Sequence, residues 1–505
     1  MSLSRAGSVA KKVFSHIIKS SRSLKTHPVR SAIILEEIKN RTTALLGFGV
    51  EGQSTYEFLR GRFPRKPLVI ADKQPLEKLD IRPDVLELLR NDTAARLHCG
   101  DDYERALGQQ EVIVKAPGIP FTHPALLAAE SRGAFVTSQL EIFFELCDRR
   151  RTIGVTGTKG KSTTSSLLHK ILVTAGMDAL LCGNIGEPPL SKIKEASSDT
   201  LFVLELSSYQ LERLKTSPHI AVLLNIVPEH LDYHKDFPAY VSAKENIARF
   251  QTEGDFLVFN YDYPLPAEIA RRTRANTFPF SMTSAVRPGC FTAGEAIRFS
   301  DGREEREVLA LSDIPLLGEF NRQNVLAAVA AALILGARPE AVRDGVRDFK
   351  SLPHRLELVG EYDGVLFYDD SISTVPECTL SALSALGPSV QTLILGGHDR
   401  HLDYSDFARQ LFSTGVENLI LFPPTGRMIW AAIEAADNRA ADRFKVFPVE
   451  TMEEAVGIAF ANTTRGRTCL LSPASPSYSN FKNYRARGEA FKNCIRARGR
   501  RSSGA

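Results

Sequence analysis

One stretch constrains this chain more than any other: GVTGTKGKSTT, from Gly154 to Thr164, follows three arginines and runs into the apolar, helix-compatible SSLLHKILVTAG. A strand that ends in glycines and opens into a helix leaves backbone N–H groups pointing outward, the geometry that cradles phosphate oxygens. Lys161 is placed to reach the outer phosphates and the Ser162 hydroxyl to hold Mg²⁺, with Gly157, Thr158, Lys159, Gly160 and Thr163 completing the cradle. The general phosphate-loop spacing puts a glycine five positions before Gly160, where Val155 stands, so the loop is a variant flanked by Gly154 and Gly157. An incidental glycine turn would leave the strand-loop-helix context unexplained. A nucleoside triphosphate is the expected ligand.

The 505 residues suffice for about three domains at roughly 150 residues each. Hydrophobic content of 43% and charged content of 24% suit a soluble globular protein. A net charge of +4 makes no case for nucleic acid. Basic residues gather at the ends (Lys11, Lys12, Lys19, Arg22 and Lys25; Arg496, Arg498, Arg500 and Arg501), which reads as solvated tails. The seven cysteines form no Cys-x-x-Cys pair, so free thiols in a reducing compartment are expected, with neither disulfides nor a zinc knuckle. No apolar run reaches 18 residues, so no membrane span is expected and the cytoplasm is the default location.

Ahead of the loop, TTALLGFGVEGQSTYEFLRGRF and LVIAD have the form of a dinucleotide-type βαβ opening, with Asp72 placed 20 residues past Gly52 to meet a ribose or base. A lone GxGxxG keeps nicotinamide binding open without favouring it. Beyond the loop, strands and helices alternate as in a parallel sheet. Asn184 rides on a Gly183–Gly186 turn. The apolar strand TLFVLE ends on Glu205, and a carboxylate at that rim suits the loop's Mg²⁺. Glu229, His230, Asp232 and His234 follow the next strand and suit a second metal or a substrate phosphate. Lys244, by itself, reads as a solvated helix lysine. Asn321 and Asn324 open a long buried helix. Farther on, Arg355, the pair Asp369 and Asp370, the Gly396-Gly397 turn and a Ser/Pro turn put polar residues at three strand ends of one small sheet, a second binding face.

Taken together, GVTGTKGKSTT, CGNIGEP, ELSSYQLE, NIVPEHLDYH, LGEFNRQN, LPHRLE, YDDSIST, LGGHDR and SPASPSYSNFKNYRARG resemble the Mur ligase family, in its glutamate-adding branch, and occur in the family's order from about Gly47 to Phe491. The resemblance implies an α/β chain of three domains: a Rossmann-like domain for the UDP-substrate over 41–148, a central phosphate-loop ATPase-like domain over 149–350, and a Rossmann-like glutamate-binding domain over 351–505, after a basic extension over 1–40. It implies an ATP-dependent ligase that acts on UDP-N-acetylmuramoyl-L-alanine and glutamate through an acyl phosphate, as a monomer, with two Mg²⁺ ions. By motif, Lys161, Glu205, His230 and Lys244 are catalytic; Ser162, Glu205, His230 and Lys244 hold metal, Lys244 as a carbamate. Asn321, Asn324, Arg355 and Asp370 match contacts to ATP. Gly49, Val50, Asp72 and Lys73 fall in the uridine-nucleotide region, Asn184 at the substrate's amide end, and Thr374, Arg400, Ser477 and Tyr484 in the glutamate pocket.

Three positions depart from the family pattern: Ile372 and Arg400 stand for lysines and Tyr484 for phenylalanine. Arginine clamps a carboxylate bidentately, so recognition of an acidic substrate survives. D-glutamate is the family default; the SIST, GGHDR and IVPEH features also resemble the branch that adds L-glutamate. A folate-extending sibling, a phosphate-loop switch ATPase and a nicotinamide oxidoreductase each leave part of the chain without a role.

Overall fold

The computed structural model describes residues 33–499 apart from Asp232 and Asn438. Most of the basic stretch expected to be a solvated head lies outside the described residues, as do Arg500 and Arg501. Arg496 and Arg498 do not belong to a tail. They sit in the last turn of the final helix, Tyr484–Arg498, where cations complement the helix dipole. Residues 33–40, assigned to the extension, form a helix that buries Leu35 and Ile38 and whose Ile34 and Leu35 N–H groups donate to the Glu145 carboxylate at 2.7 and 3.0 Å.

Three sheets carry the fold. The first comprises β1 (Thr43–Leu46), β2 (Leu68–Asp72), β3 (Ala95–Cys99), β4 (Val112–Lys115) and β5 (Phe135–Ser138), all parallel in the order β3-β2-β1-β4-β5. Its central strands β1 and β4 are buried along their whole length, as a sheet covered on both faces requires. Between β1 and helix α1 (Val50–Arg62) the chain turns so tightly that a Cβ on Gly52 would lie 2.1 Å from the Gly47 carbonyl oxygen. Only glycine fits there.

The second sheet contains β6 (Thr152–Thr156), β7 (Ala179–Gly183), β8 (Leu201–Glu205), β9 (Ile220–Leu223), β10 (Phe256–Asn260), β11 (Asn276–Ser281), β12 (Gly289–Ala293), β13 (Ala296–Ser300) and β14 (Glu305–Ala310), in the order β14-β13-β12-β11-β10-β9-β6-β8-β7. The expected parallel pattern runs from β7 to β12. It stops there because the turns into β13 and β14 are too short for a crossover, so these two strands pair antiparallel. The third sheet, β15 (Glu357–Tyr362), β16 (Val365–Asp369), β17 (Val390–Gly396), β18 (Asn418–Phe422), β19 (Lys445–Pro448) and β20 (Thr468–Leu471), has the order β15-β16-β20-β17-β18-β19 and is parallel except at β15.

The chain divides into two compact units, one ending at Ile314 and including Gln323–Asp348, the other made of Pro315–Arg322 and everything from Phe349 on. The first unit holds the first two sheets, whose apolar faces merge into one core through residues such as Phe143 and Phe202, rings 5.1 Å apart and edge to face. Tyr233 hydroxyl also donates to the Pro117 carbonyl at 3.1 Å, and Arg213 pairs with Glu130 at 2.5 Å. All seven cysteines are free thiols. Among the described residues no helix is long and apolar enough to cross a membrane.

Phe202 is fully buried at the junction of the two sheets. Phe202→Ala is expected to destabilise the first unit by about 3–5 kcal/mol, measured by chemical denaturation.

Candidate functional site

The site begins at the end of β6. Gly160 caps helix α2 (Lys161–Thr174) with φ at 87°, a conformation open to glycine, and a Cβ there would lie 2.2 Å from the Asn324 side-chain oxygen. The loop is pinned from behind: Thr158 N–H donates to the Asn225 carbonyl at 2.7 Å and Lys159 N–H to the Asn225 side-chain oxygen at 2.9 Å. Thr158 Oγ1 lies 3.0 Å from the Tyr240 hydroxyl, and Lys159 Nζ pairs with Glu229 at 2.6 Å.

Two lysines converge on this loop. Lys161 Nζ donates to the Gly157 and Thr158 carbonyls at 3.0 and 2.9 Å, and Lys244 Nζ, from helix α3 (Phe237–Arg249), donates to the same Gly157 carbonyl at 2.8 Å. Lys244 is 1% exposed, and its Nζ lies 4.8 Å from the centre of the Tyr240 ring. Burial, and then the charge of Lys161, hold it well below the ordinary lysine value. The solvated surface lysine expected from sequence alone is therefore a core residue. Its helix turns this face inward because Tyr240, Ala243 and Ile247 share it.

Glu205, at the end of β8, is 1% exposed. Its Oε1 accepts from Asn184 Nδ2 at 2.7 Å, which joins the Gly183–Gly186 turn to the loop's rim, whereas Oε2 is buried without a hydrogen-bond partner. Thr163 Oγ1, in the first turn of α2, is likewise buried and unpartnered. Buried polar atoms with no partner beside a phosphate cradle fit a bound cation and nucleotide, which supply the missing contacts. The residues present therefore suit ATP and Mg²⁺.

The histidine-rich turn after β9 divides its members. His230 is exposed, with left-handed backbone at φ 57°, and its ring lies 5.1 Å from that of Tyr209. His234 is buried with its Nε2 3.0 Å from the Ser208 hydroxyl, and Glu229 is the partner of Lys159. Of the residues expected to suit a second metal or a substrate phosphate, Glu229, His230 and His234 form no common ligand set among the described residues, and Asp232 lies outside them.

In the first sheet, Asp72 stands at the end of β2 beside the glycine turn. Its carboxylate accepts from Phe48 N–H at 2.6 Å and Gln74 N–H at 2.8 Å, and so holds the glycine turn in place. Gly49, Val50 and Lys73 are exposed around it.

The second unit gathers its candidates on loops at the strand ends. Asp370 is buried, accepting from Leu356 N–H at 3.1 Å and the Ser472 hydroxyl at 2.8 Å. Burial pushes its carboxyl up to about 6, against the hydrogen bonds of Ser373 and Ser472 and the charge of Arg355. Arg355 Nε is buried without a partner. Ser477 is buried, Thr374 and Tyr484 half-buried and Arg400 exposed. Asn321 Nδ2 donates to the Leu317 carbonyl at 2.7 Å.

Two features escaped sequence reasoning. Arg487, 2% exposed, reaches three strand-end loops at once, donating to the Ser371 hydroxyl and carbonyl at 3.0 and 2.9 Å and to the Ser475 and Gly396 carbonyls at 3.0 and 3.5 Å. Burial lowers its guanidinium to about 10, so it stays charged. It thus sets the loops that carry Asp370, Arg400 and Ser477. The second is a group of His354, Glu357 and Asp369, close enough together to ligate a metal. Lys492 already fills that role as cation, 3.0 Å from Glu357 and 4.0 Å from Asp369. A basic residue 135 positions from Glu357 leaves no local sequence signal.

The Mur ligase middle domain matches residues 155–332. Along nearly its whole length the chain is similar to proteins named UDP-N-acetylmuramoylalanine--D-glutamate ligase: 36% identical to that of Symbiobacterium thermophilum, over 90% of this chain and 97% of the relative, and 34% identical to that of Acetivibrio thermocellus, over 91% and 97%. In fold it is similar to UDP-N-acetylmuramate-alanine ligase MurC of Thermotoga maritima, with a TM-score of 0.58 at 16% identity over 91% of this chain and 100% of that one. A ligase of Acinetobacter baumannii that acts on UDP-N-acetylmuramoylalanyl-D-glutamyl-2,6-diaminopimelate gives a TM-score of 0.58 at 17% identity, over 94% and 100%.

Asp370 provides a pH test of the second unit. A carboxyl raised from 3.8 to about 6 on folding favours the folded state below pH 4, and that advantage is lost as pH rises to about 6. The stability of the second unit is expected to fall across this window, with Asp370→Asn flattening the profile in pH-dependent denaturation.

Proposed function

This chain belongs to the Mur ligase family, and we propose that it joins D-glutamate to UDP-N-acetylmuramoyl-L-alanine with cleavage of ATP to ADP and phosphate, a step of peptidoglycan precursor synthesis. The observation that carries this reading is the 36% identity, over 90% of the chain, to a relative named for that reaction. The buried, half-satisfied Glu205 beside the glycine-capped loop supports it, because it offers a carboxylate oxygen where a triphosphate's cation is needed.

A carboxylate is a poor electrophile, so the acceptor's carboxylate oxygen attacks the γ-phosphorus of ATP and ADP leaves. The amino nitrogen of glutamate then attacks the acyl carbon, the tetrahedral intermediate expels phosphate, and the nitrogen loses its proton. Both attacks bring anions together. Lys161 would leave its carbonyl partners for the outer phosphates and offset that repulsion in a site of low dielectric. Ser162, Thr163 and Glu205 would hold the first Mg²⁺; His230 and a carbamylated Lys244 would hold a second. When bound, these ions supply charge neutralisation and polarise the phosphoryl oxygens. A lysine with its proton affinity lowered as far as that of Lys244 reacts with CO₂ as the free amine. Asn321, Asn324, Arg355 and Asp370 would contact the nucleotide, and Gly49, Val50, Asp72, Lys73 and Asn184 the UDP-substrate. Arg400, with Thr374, Ser477 and Tyr484, would clamp the glutamate carboxylates. The same reading keeps the enzyme in the cytoplasm as a monomer.

Incubating the purified protein with ATP, Mg²⁺, UDP-N-acetylmuramoyl-L-alanine and either glutamate enantiomer is expected to release phosphate with the D form. No release with either enantiomer overturns the proposal, and release with the L form alone reassigns the stereochemistry. Glu205→Gln should lower kcat by at least about 100-fold while raising the melting temperature, since it removes a buried negative charge of which one oxygen has no partner.

A further inference from the structure

Within the first unit, one hydrogen bond ties the opening of α1 to the strand end that carries Glu205. Glu51 lies in the first turn of α1, between Gly49 and Gly52. An acidic residue there complements the helix dipole, a local role that needs no partner. Glu51 has a distant one all the same: its Oε1 accepts from Gln210 Nε2 at 2.7 Å, across 159 positions of sequence. Its main chain is held as well, the carbonyl accepting from Gln139 Nε2 at 2.9 Å and from Thr55 Oγ1 at 2.7 Å.

Gln210 carries the contact on to β8. Ser207 caps the short helix Ser208–Leu211 that follows the strand, and Gln210 is its partner in the cap. The Gln210 side-chain oxygen accepts from Ser207 N–H at 3.0 Å and from the Ser207 hydroxyl at 3.1 Å. Both ends of the amide are thus committed, the oxygen to the cap and the nitrogen to Glu51. Between the cap and Glu205, Leu206 is fixed to β6: its N–H donates to the Val155 carbonyl at 2.9 Å, and its carbonyl accepts from Thr156 Oγ1 at 2.7 Å. A connected series of hydrogen bonds therefore runs from the strand that leads into the phosphate loop, past Glu205, to the start of α1.

The surroundings of the Glu51 carboxyl leave no room for a ligand. The cavity beside it measures about 10 Å³, enough for one water molecule. Lys115, 2% exposed at the end of β4, supplies the positive charge that Glu212, Glu51 and Glu141 share. Glu141 also accepts from Ser138 N–H at 3.1 Å and Glu212 from the Tyr233 hydroxyl at 3.1 Å, while Arg213 pairs with Glu130. Burial raises the Glu51 carboxyl to about 7, against the Gln210 hydrogen bond and the charge of Lys115. An oxygen of the neutral acid accepts as the carboxylate does, so the bond to Gln210 outlasts that titration.

Resting on the reading of Gly49 and Val50 as acceptor contacts and of Glu205 as a magnesium ligand, we propose that Glu51 is a positioning residue for phosphoryl transfer. Its bond to Gln210 sets the distance between the turn that holds the acceptor and the strand end that faces the triphosphate. Reacting groups misplaced by about 1 Å lose about 100-fold in rate. Glu51 touches neither ligand in this assignment, so its loss acts on kcat and leaves both affinities in place.

The test measures phosphate release in the ligase reaction, and UDP and ADP binding by calorimetry, for the full chain as wild type, Glu51→Ala, Glu51→Asp and Glu51→Gln. Glu51→Ala is expected to lower kcat about 10- to 100-fold, with both affinities within about twofold of wild type. Glu51→Asp keeps the charge but falls one methylene short of Gln210, and is expected to lose kcat in the same way. Glu51→Gln keeps an oxygen that accepts from Gln210 and is expected to hold kcat within about threefold of wild type. The Asp and Gln variants preserve the contrast should Glu51→Ala fail to fold. Wild-type kcat in Glu51→Asp overturns the inference, as does a fall in UDP affinity parallel to kcat, or a Glu51→Gln variant as slow as Glu51→Asp. Absence of phosphate release by wild type overturns it together with the proposed reaction, which separates that failure from one confined to Glu51.

Discussion

Two lysine amino groups share one carbonyl acceptor in this protein. Lys161 and Lys244 both donate to Gly157, one from the helix after the phosphate loop and one from a helix 80 residues later in the chain. Like charges in a buried place repel, so burial and the charge of Lys161 hold Lys244 towards its neutral amine. The arrangement persists because the surrounding core is over-determined: Tyr240, Ala243, Ile247 and Asn246 bury the face that carries Lys244, and Asn225 and Tyr240 hold the loop from behind. An anionic ligand supplies Lys161 with the negative charge that the carbonyl lacks. Binding energy is thereby directed at the triphosphate, where charge must be neutralised for a carboxylate to be phosphorylated.

Glycine allows the parts to approach closely enough to act together. At Gly160 the nearest obstacle to a side chain is Asn324, at Gly183 it is the Glu205 carbonyl, and at Gly52 the Gly47 carbonyl. At Gly183 and Gly52 backbone meets backbone, at Gly160 backbone meets a side chain, and none of the three leaves room for a Cβ. The same economy of space appears in the second unit, where Gly397 would drive a Cβ into the Pro476 carbonyl and Arg487 ties the neighbouring loops.

How much was legible in the chain follows from the range of the interactions. The phosphate loop, Glu205 and Asn184 were readable because they lie within a few residues of a strand end, where the turn from apolar run to polar residue is local. Asp72 was read as a contact for a ribose or base; that its carboxylate also accepts from Phe48 N–H is a contact that spacing does not reveal. The paired turn residues Glu229 and His234 read as ligands because sequence proximity was taken for convergence. Their side chains instead leave for Lys159 and Ser208. Lys244, Lys115 and Arg487 were read as ordinary basic residues or passed over, since nothing local separates a buried cation from a solvated one.

The amino-acid sequence by itself determined three α/β sheets, their order along the chain, the nucleotide loop and the kind of chemistry it serves. Strand patterning, glycine placement and the order of motifs are all short-range properties. Only the tertiary structure decided which cations are buried, which carboxylate oxygen lacks a partner, and which acidic groups are already taken. Those outcomes depend on desolvation and on contacts between residues tens to more than a hundred positions apart, where a difference of an ångström separates a paired charge from one that awaits a ligand.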